Sequence, residues 1–294
     1  MERPGPSDAP QELIDEIIDY CSGNKNTLIA CSLTCRAWVH RTRKHLFSKL
    51  TLTDKTLPVW CGTVVTPNPD GSNPQPLPNA YPPPASSYAS SWLSSYTTSL
   101  HLVPKYDPVK QNGIGARELL LAKTHLSAFT NLESLTLTAI SFAAFDNDSL
   151  KACFGSLSET VRSLKLAACH VYEKNFSSFL RMFARLESFE VEGNAWYRAR
   201  SGPNANPIGT NPITLRGSFA LSALENGSYG MLDFLMTQKM EYHTITLGQS
   251  PLSAYPQLNA LFAKCRDLRT LSLTTKFLYP ANLPFCPPFP TRVV

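Results

Sequence analysis

Two cysteines and two histidines lie close together near the start of the chain and could in principle bind a metal ion. Their positions are Cys31, Cys35, His40 and His45. The two thiols are one helical turn apart, but the histidines follow at distances that suit neither a zinc finger nor a zinc ribbon. We therefore interpret the four residues as buried thiols and solvated imidazoles, and we expect no metal and no cofactor.

The common catalytic motifs are absent from the 294 residues. No Gly-rich phosphate loop, no G-x-S-x-G and no H-E-x-x-H is present. The other histidines are scattered without an evident acid–base partner: His101, His125, His170 and His243. The sequence therefore predicts a protein that is not an enzyme.

Charge and hydropathy limit the kinds of partner. The formal net charge is +5, which is too small to indicate nucleic acid as the main ligand. A basic segment, "WVHRTRKH", follows two shorter helical segments and leaves a helix-turn-helix reader of DNA as an alternative. Apolar runs are too short to span a bilayer, and the first residues lack the apolar core of a signal peptide. We expect a cytoplasmic or nuclear protein without membrane contact.

Residues 8–50 have the pattern of a small all-helical domain. Leu13, Ile14, Ile17 and Ile18 form a broad apolar stripe, and acidic residues such as Asp19 occupy the other side. After the break at "SGNKN", we expect a second helix capped by Asn26. A third helix then carries Trp38 and a basic end, where cations are favoured by the helix dipole.

The same segment, "PQELIDEIIDYCSGNKNTLIACSLTCRAWVHRTRKHLF", resembles an F-box. The matching features are the Pro-x-Glu-Leu start at Pro10, the Ile17/Ile18 pair, the "LIACSLTCRAW" block and the closing Leu-Phe. Ala9 and Cys21 depart from the usual pattern, because F-boxes commonly carry leucine at both positions. Both departures reduce the apolar surface.

The resemblance implies a role as an adaptor subunit. An F-box packs on a Skp-type adaptor, which joins a cullin scaffold and a RING subunit, and the rest of the chain holds a protein substrate for ubiquitin transfer. The binding roles that the resemblance implies fall on Pro10, Leu13, Ile14, Ile17, Ile18, Leu28, Leu33 and Trp38. Some of these side chains are expected to form the small core of the motif itself, Trp38 above all.

Two further segments are rich in proline and lack a pattern of buried residues. Residues 58–95 contain "PNPDGSNPQPLPNAYPPPASSYASS", which cannot offset the entropy of ordering, so we expect a disordered insertion. Residues 281–294 are expected to form an irregular tail.

Residues 97–280 alternate strand-like and helix-like segments. Pairs of apolar residues recur at intervals of about 24 to 35 residues in "SLHL", "SLTL", "SLKL", "SFEV", "PITL", "TITL" and "TLSL". The "PITL" pair is Ile213 and Leu215. One strand and one helix cannot bury their own apolar face, but stacked copies can. This part of the chain resembles the leucine-rich-repeat family. The expected fold is therefore α/β, with N-terminal all-α F-box helices followed by an irregular leucine-rich-repeat solenoid.

Strand residues that flank the apolar pairs are expected to form a polar substrate-binding face. The candidates are Thr136, Thr138, Lys165, Glu190, Thr246 and Ser272. This face is mostly uncharged and suits hydrogen-bonded recognition of a protein. An alternative keeps the repeats but not the ligase, so that the chain is an interaction scaffold with a degenerate F-box.

Overall fold

The structure is a computed structural model. It describes residues 10–53, 56–57, 93–103, 126–142, 145–193, 195–197, 212–222, 229–248 and 255–273. The predicted disordered insertion lies outside the described residues apart from its last three positions. The predicted tail and His125 also lie outside them.

Three helices open the described chain, as the apolar periodicity predicted. They are α1 (Gln11–Tyr20), α2 (Lys25–Thr34) and α3 (Arg36–Phe47). The predicted cap of α2 was wrong. The N-cap is Asn24, whose side chain accepts the N–H of Thr27 at 3.1 Å, and the helix begins at the next residue, Lys25. Asn26 instead lies in the first turn. Cys35 has extended backbone angles and separates α2 from α3.

An eight-stranded sheet follows, and all of its neighbouring strands are parallel. Its strands are β1 (Lys49–Thr53), β2 (Ser99–Val103), β3 (Ser134–Thr138), β4 (Ser163–Ala167), β6 (Ser188–Glu192), β8 (Thr214–Ser222), β9 (Lys239–Leu247) and β10 (Thr270–Leu273). They lie side by side in chain order. Two short strands, β5 (His170–Tyr172) and β7 (Ala195–Tyr197), pair in a separate sheet.

Helices connect several of these strands and cover the side of the sheet to which its apolar residues point. They are α4 (Asn147–Phe154), α5 (Glu173–Met182), α6 (Tyr229–Thr237) and α7 (Tyr255–Lys264). A single core runs from Leu52 to Cys265. Its centre is aromatic, with the Phe176 and Phe179 rings of α5 in contact with Phe142 at centroid distances of 6.3 and 5.0 Å. The predicted α/β class and the N-terminal helices are confirmed. Within the described part of the chain, none of the helices combines the length and apolar character needed to cross a membrane.

A repeated backbone contact holds the beginnings of the strands together. The carbonyl of Ser48 accepts the N–H groups of both Thr98 and Ser99, each at 2.9 Å. The carbonyls of Thr98, Glu133 and Arg162 make the same double contact with the next strand along the sheet. Because the first of these carbonyls directly follows α3, the helical segment is joined to the sheet without a flexible linker.

The apolar pair predicted in "PITL" is not the one that aligns with the apolar pair of the neighbouring strand β6. Ile213 precedes β8 and Leu215 lies in its first half, whereas Phe219 and Leu221 lie opposite the apolar pair of β6. A register irregularity at Gly217 separates the two halves of β8. The sequence pattern does not show this bulge. The predicted pair therefore fell in the N-terminal half of β8 rather than in the half that pairs with β6.

Gly217 is required by the backbone at this bulge. Its φ is +82°, and a Cβ added there would lie 2.0 Å from the carbonyl oxygen of Glu187. That carbonyl also accepts the N–H of Ser218 at 2.8 Å, so it cannot move away freely. The bulge therefore depends on a residue without a side chain.

We expect Gly217→Ala to lower the free energy of unfolding by about 2 kcal/mol or more, through the left-handed conformation and the clash with backbone. Urea denaturation followed by circular dichroism measures this. Gly23→Ala is the matched control, since a Cβ at Gly23 meets nothing within 4 Å, and it should change stability by less than about 1 kcal/mol. Equal stability of the two variants would contradict the account of the bulge.

Candidate protein-binding surfaces

The three N-terminal helices have a small core of their own. Ile14, Ile18 and Leu28 are 6, 0 and 2 % exposed and form a cluster separate from the core of the sheet. Trp38 and Leu46 are partly buried and pack against this cluster. Three of the residues predicted to bind an adaptor are thus core residues in this structure, and Trp38 supports them.

The outer surface of α1 carries apolar side chains that no described residue covers. Leu13 and Ile17 are 54 and 55 % exposed, and Tyr20 is 93 % exposed. The three lie at i, i+4 and i+7, so they share one side of the helix. Pro10, at the N-cap position of α1, is exposed as well.

A second apolar strip lies on α2. Ile29 is 41 % exposed and Leu33 is 82 % exposed, and the two are one helical turn apart. Of the eight predicted adaptor-binding residues, the four at the surface are Pro10, Leu13, Ile17 and Leu33. Tyr20 and Ile29 were not predicted. The spacing of one helical turn between Ile29 and Leu33 could have identified Ile29 from the sequence.

An ionic cluster joins the end of α1 to α3. The Asp19 carboxylate accepts hydrogen bonds from the Arg41 guanidinium and lies 2.7 Å from Nε2 of His45. Hydrogen bonds from Arg41 and then from His45 hold the pKa of Asp19 well below its usual range. The sequence pattern had placed Asp19 among solvent-facing acids, and it missed this contact because the partners are more than twenty residues away.

The histidines and cysteines of this segment are not gathered into one site. His45 contacts Asp19, whereas His40 lies beside Tyr96, with 3.0 Å between Nδ1 and the phenol oxygen. Within the described ranges, no three His, Cys, Asp or Glu side chains are placed to hold a metal ion. The contact of Arg41 with Asp19 also engages one of the cations that a helix-turn-helix protein would direct to phosphate.

The second candidate surface is the polar side of the eight-stranded sheet. Side chains alternate along β2, β3, β4 and β6, where the apolar pair is buried while its neighbours are half-buried. In the register of the sheet, Thr136, Lys165 and Glu190 lie side by side on β3, β4 and β6. Thr246 lies opposite Ser272 on β9 and β10.

An ion-paired lysine lies near the middle of this polar side. The Lys165 ammonium lies 2.7 Å from a carboxylate oxygen of Glu190 and 2.8 Å from one of Glu192. Hydrogen bonds to these two carboxylates raise the pKa of Lys165.

A histidine lies beside this cluster. On β2, Nε2 of His101 lies 2.8 Å from the Thr138 hydroxyl. Burial, and then the charge of Lys165, lowers the pKa of His101, which favours its neutral form. The centre of the surface is therefore hydroxyl-rich, with a net charge close to −1.

Comparison with known proteins assigns no family: no family model matches this chain, and no curated protein matches it.

The Asp19 cluster generates a pH-dependent prediction. Because the pKa of Asp19 is lowered by folding, its contribution to stability is present above about pH 4 and is lost as the pH falls below that value. We expect Asp19→Asn to lower the melting temperature at pH 7, and the difference from wild type to shrink between about pH 4 and pH 2.

Thermal melts followed by circular dichroism at several pH values measure this difference. Glu16→Gln is the matched control, because Glu16 is exposed and forms no ion pair among the described residues. The control should track the wild type throughout. A difference between Asp19→Asn and wild type that stays constant from pH 7 to pH 2 would contradict a role for the ionised carboxylate.

Proposed function

We propose that this chain is the substrate-recognition adaptor of a Skp–cullin–F-box ubiquitin ligase. In this proposal α1 and α2 bind a Skp-type adaptor, which joins a cullin and a RING subunit, and the polar side of the sheet binds a protein substrate. The observation that carries the proposal is the exposed apolar surface of α1 and α2 beside a core cluster of three buried apolar side chains.

Energetics favour a partner on this surface. Covering a leucine or isoleucine side chain is worth about 1.5–3 kcal/mol, and Leu13, Ile17 and Leu33 are each more than half exposed. A soluble protein that leaves such side chains side by side on short helices gains from a second protein that covers them. The order of motifs that resembles an F-box predicts that this partner is a Skp-type adaptor.

For the remainder of the chain, we propose a leucine-rich-repeat solenoid. Support comes from the strands of the sheet, which follow one another in chain order and pair in parallel. Six of them, β2, β3, β4, β6, β8 and β9, each direct two apolar residues into the core. In such an array the polar side of the sheet is the concave surface, which recognises protein ligands. The proposed substrate contacts are Thr136, Thr138, Lys165, Glu190, Thr246 and Ser272.

The proposed role requires no catalytic residue in this chain. The ubiquitin transfer itself belongs to the other subunits, and this chain contributes two binding surfaces and the fixed geometry between them. Such a protein acts in the cytoplasm, the nucleus or both.

The adaptor-binding half of the proposal is tested by truncating the exposed side chains of α1. We expect Leu13→Ala with Ile17→Ala to weaken binding of a purified Skp-type adaptor by about 100-fold, because two half-exposed aliphatic side chains lose their contacts. Isothermal titration calorimetry measures the affinity. The circular dichroism spectrum should not change, since neither side chain belongs to the core.

Glu16→Ala, on the same helix and also exposed, is the control and should bind within about threefold of wild type. Failure of the wild-type chain to bind the adaptor would overturn the ligase proposal and favour the interaction scaffold.

The substrate-binding half is tested by quantitative affinity purification. We expect Thr136→Ala with Glu190→Ala to reduce the recovery of a defined set of proteins by about tenfold, as truncation of central interface residues does, without loss of the Skp-type adaptor. The α1 variant should show the reverse pattern. Lys151→Ala, on the exposed side of α4, serves as the control. If both variants lose the same proteins equally, the two surfaces do not have separate roles.

A further inference from the structure

A groove of about 650 Å³ lies beside α3, where the strands of the sheet begin. It is distinct from the apolar surface of α1 and α2 and from the polar side of the sheet. His40 and Lys44 of α3 form one end. Tyr96 fixes this end to the sheet, since its ring packs edge-on against His40 with 5.4 Å between centroids and its hydroxyl lies 3.0 Å from Nδ1.

The other walls of the groove are built from residues at equivalent positions before successive strands. The third residue before each of β2, β3, β4 and β6 lines it: Tyr96, Asn131, Thr160 and Arg185. The residue directly before β2, β3 and β4 lines it as well: Thr98, Glu133 and Arg162. Neighbouring strands are about 4.8 Å apart, so each strand contributes one step along the groove.

Charges change sign along these steps. Lys44 supplies a cation at the α3 end, Glu133 and Glu159 supply carboxylates beside β3 and β4, and Arg185 supplies a cation beside β6. None of these four side chains forms an ion pair with another described residue. Arg162 differs from them, because its guanidinium donates to Glu187 at 2.9 Å. The groove thus presents positive, negative and positive groups in that order.

An extended peptide has the spacing to match this order. Alternate side chains of a strand point to the same side and are about 6.8 Å apart. Because Tyr96 beside β2 contacts His40, and Lys44 follows His40 by one helical turn, the cationic end lies near the step of β2. The mean position of Glu133 and Glu159 is about one and a half strand spacings from β2, or about 7 Å, and Arg185 beside β6 is about 14 Å from β2. Side chains at every second position of a peptide that crosses the strands would therefore meet the cationic end, the carboxylates and Arg185 in turn.

We propose that this groove binds an extended peptide segment of another protein, with acidic, basic and acidic side chains at every second position. Lys44 and Arg185 bind the two acidic side chains, and Glu133 with Glu159 binds the basic one. Asn131 and Thr160 also line the groove. The Asn131 amide donates one hydrogen bond to the Ser95 carbonyl and the Thr160 hydroxyl donates to the Leu157 carbonyl, so the oxygen atoms of both side chains can accept N–H groups of the peptide backbone. The site does not depend on an adaptor or on the ligase proposal.

The test uses fluorescence anisotropy with two labelled synthetic peptides and the purified full-length chain. GSDSKSDSG carries the complementary pattern, and GSKSDSKSG carries the reverse with the same length and the same flanking residues. We expect the first peptide to bind with a dissociation constant below about 1 mM and at least about tenfold more tightly than the second, as electrostatic complementarity predicts. Its affinity should fall as salt rises from 50 to 300 mM.

Charge reversal of the groove distinguishes this site from general surface attraction. We expect Lys44→Glu with Arg185→Glu to weaken binding of GSDSKSDSG by at least about tenfold. Lys151→Glu makes the same kind of change on exposed α4, outside the groove, and should leave the affinity within about twofold. Glu133→Lys with Glu159→Lys should also weaken binding of GSDSKSDSG.

Three results would overturn the proposal. They are the absence of saturable binding up to 1 mM peptide, equal affinity for the two peptides, and an equal effect of the groove variant and Lys151→Glu. Circular dichroism of each variant identifies a loss that comes from unfolding. In that case the single variant Arg185→Gln, which removes one exposed charge, decides the outcome. Weaker binding of GSDSKSDSG supports the proposal, and unchanged binding overturns it. Because no adaptor is present in this assay, its result is independent of whether the chain binds one.

Discussion

The structure depends on one constraint: a single strand of this chain cannot bury its own apolar pair. β2, β3, β4, β6, β8 and β9 each direct two apolar side chains to one side of the sheet, and helices such as α5 cover them. Stacking in register makes these pairs into one continuous core. Because alternation then turns the remaining strand residues outward, the same constraint produces the polar surface proposed to bind substrate.

The N-terminal helices are bound to this array through its backbone. Phe47 ends α3, and the next carbonyl, that of Ser48, begins the series of double hydrogen bonds that joins strand to strand. The Thr97 hydroxyl also donates to the Phe47 carbonyl at 3.0 Å. A partner bound to α1 and α2 would therefore have a defined orientation relative to the sheet, as the proposed ligase role requires.

Much of this architecture could be predicted from local patterns. The apolar pairs in β2, β3, β4, β6 and β9 are buried as expected, because period-two alternation is visible within five residues. The pair of β10 was wrong as a buried pair, because Leu271 and Leu273 are 45 and 57 % exposed and no described residue covers them. The stripe of α1 was also visible, but its four apolar positions form two pairs of neighbours, and the sequence does not show which member of each pair is buried. Packing against Leu28 decides that Ile14 and Ile18 are buried and that Leu13 and Ile17 are not.

Other features could not be predicted because they depend on residues far apart in the chain. The contact of Asp19 with Arg41 requires the fold of α1 against α3. The bulge at Gly217 lies against the carbonyl of Glu187, which directly precedes the neighbouring strand β6. The groove beside α3 is formed by residues that precede four different strands and by two residues of a helix, so no local motif marks it.

The central claim is that a Skp-type adaptor covers the exposed apolar side chains of α1 and α2. Hydrogen–deuterium exchange of the full-length chain with and without the purified adaptor tests it most directly. The account predicts slower exchange of the amides in Gln11–Thr34 when the adaptor is added, and unchanged exchange in β3, β4 and β6. Unchanged exchange in α1 and α2 at a saturating concentration of adaptor, or protection confined to the sheet, would contradict it.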